Sequence, residues 1–102
     1  MKIEKIKAYL GFAIKSGEVV YGYDQLVVCK KHPYLVMVCS TQNDKVTEKI
    51  HRYCSNNGID YIKLRDYVLG DLIVRDNCKV IGIHNRNLAS AIKNEMKNGN
   101  LE

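Results

Sequence analysis

The chain has no tryptophan, one phenylalanine, one proline and no apolar run that approaches a membrane span, which takes about eighteen residues or more. A transmembrane segment is therefore not expected. The N-terminus, MKIEKIKAYLGFAIKSG, intersperses its charges with its apolar residues, so it reads poorly as a secretory leader. The four cysteines, Cys29, Cys39, Cys54 and Cys78, form no C-x-x-C pair and no cysteine–histidine spacing typical of zinc. They sit in apolar runs, as small buried thiols of a reducing compartment do, and a cytoplasmic location follows as the expectation. No metal or other cofactor is implied. Phosphate-binding and dinucleotide-binding glycine motifs are absent, and neither Ser16 nor Ser40 has a nucleophile elbow around it. His32, His51 and His84 are not at ligand spacing. A non-enzymatic protein is expected; only a deep pocket joining His84 to a carboxylate would reverse that.

What is present is a single domain of ordinary composition, 102 residues long, 46% hydrophobic and 26% charged, with net charge +5. The positive charge is concentrated early: Lys2, Lys5, Lys7, Lys15, Lys30, Lys31, Lys45, Lys49 and Arg52, against Glu4, Glu18, Asp24, Asp44 and Glu48. A basic half-domain attracts polyanions, although lysines also serve simply to solvate helix faces.

Apolar periodicity predicts the elements. Ile3, Ile6, Leu10, Ala13 and Ile14 make one stripe of a helix over 2–15, closed by Gly17. Residues 18–21 read as a short strand and 24–31 as a second helix, stopped before Pro33. Residues 34–39 are continuously apolar, which suits a central strand buried on both faces. Ser40 or Thr41 is placed to cap a third helix with Val46, Ile50 and Cys54 on its inner face, and Asn57-Gly58 closes it. Residues 59–64 read as a strand, 66–72 as a short helix or turn, and 79–83 as a buried strand. Asn85 or Asn87 caps a last helix bearing Leu88, Ala91, Ile92 and Met96. This alternation predicts an α/β fold, a three-layer α/β/α sandwich over residues 1–97, with 98–102 as a frayed tail.

The stretch LGFAIKSGEVVYGYDQL raises the functional question. Gly22 precedes a helix whose first amides are free to meet an anionic or oxygen-rich ligand. Tyr21 and Tyr23 flank it, and Lys30 and Lys31 follow, a combination able to stack a base and neutralise phosphate. The same residues would equally serve as a turn glycine with two tyrosines covering the core edge.

Four blocks in order resemble a known family, the small ribosomal proteins of the L-seven-Ae / L-thirty-e type, and among them the short bacterial YlxQ-like members. The blocks are LGFAIKSGEVVYGYD, LVMVCSTQNDKVTEKIHRYC (with a helix beginning near Asn43), YVLGDLI and VIGIHNRNLASAI. The resemblance implies an α/β/α sandwich with a mixed four-stranded sheet. It also implies binding of a kink-turn, an RNA internal loop bent at tandem G·A pairs, and association with the ribosome. By the same resemblance, Gly22, Tyr23, Asp24 and Gln25 face the guanine edges and phosphates, while Leu72, Ile73, Val74 and Arg75 cover a flipped-out base. Lys30, Lys31 and Lys15 would steer the RNA backbone.

The chain departs from the family pattern at three positions. Asp24 stands where asparagine or lysine is common, Val28 where a lysine is, and Val74 where many bacterial relatives have glycine. An ionised aspartate cannot donate to guanine O6 and N7, though it can accept from N1 or N2, or cap the helix. The rival expectation is a protein-interaction module on the same fold, its RNA site decayed at Asp24 and Val28 and its partner seated on Tyr21, Tyr23 or an exposed helix face.

Overall fold

The computed structural model describes residues 3–64 and 79–99. The elements run α1 (Ile3–Lys15), β1 (Val19–Tyr21), α2 (Tyr23–Val28), β2 (Leu35–Val38), α3 (Asp44–Asn57), β3 (Asp60–Lys63), β4 (Val80–Ile83) and α4 (Arg86–Gly99). The sheet is mixed, in the order β1-β4-β2-β3. β1 and β2 both run antiparallel to β4, and β3 runs parallel to β2.

The continuously apolar strands behave as their composition requires. All four residues of β2 and of β4 are buried. Alternation then sorts their side chains into two cores. Leu35, Met37, Ile81 and Ile83 meet Ile6, Leu10 and Ala13 of α1 and Ala89, Ile92 and Met96 of α4. Val36, Val38 and Val80 meet Leu26 of α2 and Ile50 and Cys54 of α3 on the other face. This is the three-layer sandwich that the sequence pattern predicts. Ala89 joins the inner face of α4, where periodicity had favoured Ala91; Ala91 is only half-buried. Cys39 and Cys54 are buried and Cys29 is half-buried. Cys78 lies outside the described residues.

Two helix boundaries correct the sequence reading. α3 is capped by Asn43 rather than Ser40 or Thr41: the Asn43 Oδ1 accepts from the Val46 N–H at 2.9 Å. Thr41 is engaged instead with the Cys39 thiol, 3.0 Å from its Oγ1. α2 ends at Val28, short of the expected Lys31, because the chain must return to the sheet. Cys29 turns to extended backbone, and the Tyr34 N–H donates to the Ile83 carbonyl at 2.8 Å. The helix boundaries at Gly17 and Gly58 follow expectation; Gly58 adopts the left-handed conformation (φ 66°).

Position 82 decides how α2 sits. A Cβ there would fall 2.6 Å from Leu26 Cδ2 and 3.2 Å from both Cβ and Cγ of Pro33. The missing side chain lets α2 and the following loop lie directly against β4. Leu26 is fully buried in that seat, which contributes about 1.5–3 kcal/mol. Gly82→Ala should therefore destabilise the fold by about 1–3 kcal/mol through overpacking. Urea denaturation measures this, with an unchanged or raised midpoint as the contrary result.

Candidate nucleic-acid interface

The Gly22 turn is built from the sheet upward. The Gly22 N–H donates to the Val80 carbonyl at 3.0 Å, which extends the β1–β4 ladder by one bond. The residue then takes φ 85° and ψ 151°, a conformation that glycine alone adopts without strain, and α2 begins at once. The Leu26 N–H is the first to find an intrahelical acceptor, the Gly22 carbonyl at 3.2 Å. The amides of Tyr23, Asp24 and Gln25 have no acceptor within the helix, and no side chain caps it.

This settles one alternative for Asp24. It does not cap α2, because the capping position is Gly22 and Asp24 lies inside the first turn. Its carboxylate is exposed and takes part in none of the ion pairs among the described residues. A negative charge there complements the positive end of the helix dipole. Gln25 is exposed beside it.

The two tyrosines part company. Tyr21 packs on the core beneath α1 and α4, whereas Tyr23 packs on the opposite core beneath α2 and α3. Each covers a core edge, on opposite sides of the sheet. Tyr23 meets Tyr53 of α3 edge to face, with centroids 6.5 Å apart.

Lys30 and Lys31 are carried away from Gly22 along α2, roughly 9 Å for six residues at 1.5 Å each. Lys31 Nζ lies 5.8 Å from the Tyr34 ring centroid, beside the far end of β4. Lys15, at the end of α1, belongs to that far end as well, since neighbouring Glu18 accepts the His84 N–H through its carbonyl. The expected second surface, Leu72, Ile73, Val74 and Arg75, lies outside the described residues. Its flanks do not. Leu64 donates to Val38, Cys39 donates to Lys79, and Gly22 donates to Val80, so Leu64 and Lys79 both lie at the Gly22 end of the sheet.

Sequence reasoning passed over the polar face of α3. Together with Tyr23, the side chains of Lys49, Arg52, Tyr53, Asn56 and Asn57 line an open cleft of about 240 Å³ between α2 and α3. The signal was available. These residues recur at helical spacing along one flank of the Val46, Ile50 and Cys54 stripe, with Tyr53 packed on the same core and the cations farther round the helix. A polar helix face ordinarily reads as solvated, so it went unmarked.

The far end holds a network of its own. The Glu18 carboxylate accepts from the Ser16 hydroxyl at 2.6 Å and from Asn85 Nδ2 at 3.0 Å. Asn85 also caps α4 through the Leu88 N–H at 2.9 Å. The Ser16 and Asn85 bonds hold the Glu18 carboxyl below its ordinary range. His84 Nε2 is buried without a hydrogen-bond partner in the structure. Burial, then the Lys31 charge, push its imidazole below the ordinary histidine value, against a smaller opposing pull from Glu18. His51 is exposed, with its ring 4.9 Å from Tyr61. Among the described residues no cluster of histidine, cysteine, aspartate and glutamate could hold a metal, and no helix is long and apolar enough to cross a membrane.

Both shifts act in the same direction on stability. A depressed folded-state value means that the unfolded chain binds the proton first. Stability should thus be full above about pH 6.5 and decline below it as His84 titrates, then decline again below the usual glutamate range as Glu18 titrates. Chemical denaturation across this pH range should show both stages, with His84→Gln removing the upper one and Glu18→Gln the lower. A single decline unaffected by either substitution would contradict this assignment.

None of the curated proteins matches the chain. Among solved structures, a protein with unknown function from Bacillus halodurans C superposes with a TM-score of 0.81 at 21% identity, covering 91% of this chain and 97% of the other. At that identity the likeness concerns the fold alone. The sequence itself carries more: residues 4–96 match the ribosomal protein L7Ae/L30e/S12e/Gadd45 family, and the chain belongs to that family.

Proposed function

We propose that the protein is a non-enzymatic, cytoplasmic RNA-binding protein that recognises kink-turn or related structured RNA in association with the ribosome. The observation that carries this reading is the uncapped amide edge of Tyr23, Asp24 and Gln25, presented by the Gly22 turn in a chain of this family. Free N–H groups at a helix start suit phosphates and base acceptors. Leu64 and Lys79, the described residues on either side of 65–78, lie at the same end of the sheet as that edge, which supports assigning Leu72, Ile73, Val74 and Arg75 to one surface with it. Lys30 and Lys31, beyond the end of α2, and Lys15, at the end of α1, act on RNA at longer range, by raising the local potential rather than by touching the bend.

Asp24 opposes this function. It stabilises α2 through the helix dipole while repelling phosphates and guanine acceptors. Asp24→Asn should strengthen binding of a kink-turn hairpin while lowering fold stability by about 0.3–1 kcal/mol. Titration at two salt concentrations, with a hairpin whose G·A pairs are disrupted as control, measures the first effect. Equal affinity of the wild type for both hairpins would overturn kink-turn recognition.

One observation favours a second reading, a protein-interaction module. Val27, Val28 and Tyr34 are exposed on and just after α2, Val28 at 70%. Val28 also occupies the place of the family's lysine. On this reading a partner covers α2, and its capture would survive nuclease treatment.

A further inference from the structure

The cleft between α2 and α3 has no role in the reading above, and its lining combines two tyrosines, two cations and two side-chain amides. We infer that it takes a single-stranded ribonucleotide segment flanking the bend, with a base against the tyrosines and its phosphates on Lys49 and Arg52. This extends the proposed RNA surface and rests on that reading.

Four observations converge on the cleft. Its aromatic wall is rigid: the Tyr53 hydroxyl donates to the Leu26 carbonyl at 3.1 Å and lies 3.1 Å from His32 Nδ1. The ring therefore loses little freedom when a base packs on it, and base–aromatic stacking tolerates any base. The Tyr23 and Tyr53 planes stand at 82°, so a base laid on one ring meets the edge of the other. The rim is cationic, with no acidic residue in the lining. Lys49 is exposed, and Arg52 gives only one of its donors to Glu48, at 3.2 Å.

The cleft also carries groups able to read a base edge. Asn57 Nδ2 is committed to the Tyr53 carbonyl at 2.8 Å, which leaves its Oδ1 as an acceptor, and Asn56 offers an exposed amide. Lastly, the cleft is continuous with the turn. Tyr23 is both the first residue of α2 and one wall of the cleft. A strand leaving the free amides that open α2 thus has the cleft beside it.

The test uses the full chain, the K49A/R52A variant and the charge-matched control K5A/K7A on α1. Three probes are titrated by fluorescence anisotropy: a blunt kink-turn hairpin, the same hairpin with a short single-stranded adenylate tail, and free oligoadenylate. K49A/R52A should bind the tailed hairpin roughly tenfold more weakly, with a salt slope reduced by about 1.4, and bind the blunt hairpin as the wild type does. K5A/K7A should match the wild type on all three. Wild-type affinity of K49A/R52A for the tailed hairpin would overturn the inference. If neither hairpin binds, the kink-turn reading falls separately, and oligoadenylate decides the cleft. NMR shifts at the Tyr53 ring and Asn56 amide, lost in K49A/R52A, support it; no shift overturns it.

Discussion

The arrangement of the site depends on an absent side chain. Gly82 lies in the middle of β4, and the space above it is filled by Leu26 from α2 and Pro33 from the returning loop. A short helix of six residues has little stability of its own, so its position is set by packing. Leu26 is its only fully buried residue. One anchor over one glycine, with Gly22 bonded to Val80 at the helix start, holds the amide edge of α2 against the end of the sheet. The local geometry and the core are in this sense one interaction.

From that seat follows a division of charge. The Gly22 end presents free amides with a carboxylate, Asp24, on the first turn. The far end gathers Lys15, Lys31, His84 and the Glu18–Asn85 network, which joins the end of α1 to the start of α4. Between α2 and α3, Lys49 and Arg52 share a cleft with Tyr23. Cations remote from the turn along the chain thus share a cleft with its first helical residue. A polyanion gripped at the turn would find partners on α3.

The elements whose signal is periodic were legible in the sequence. β2 reads as a buried strand because every residue of Leu35–Val38 is apolar, and α1 reads from Ile6, Leu10 and Ala13. The rest depended on tertiary terms. α2 stops at Val28 because the chain must hand Tyr34 back to β4, a demand invisible in residues 24–31. Asn43 outcompetes Ser40 and Thr41 as a cap because the strand-to-helix loop leaves it, not them, within reach of the Val46 amide. Tyr21 and Tyr23 look like one pair, since strand alternation would set both on one face, yet the turn at Gly22 sends them to opposite faces. The cleft was missed because its residues come from two helices, and only one of them, Tyr23, adjoins a turn worth marking.

The most direct measurement is amide NMR mapping of the protein with a kink-turn hairpin added stepwise. Shifts should appear at Tyr23, Asp24 and Gln25 and at their sheet neighbours Val80 and Lys79, leaving the outer face of α1 unmoved. Perturbations confined to α1 and α4, with the amides that open α2 unchanged at saturation, would show that the turn does not meet RNA.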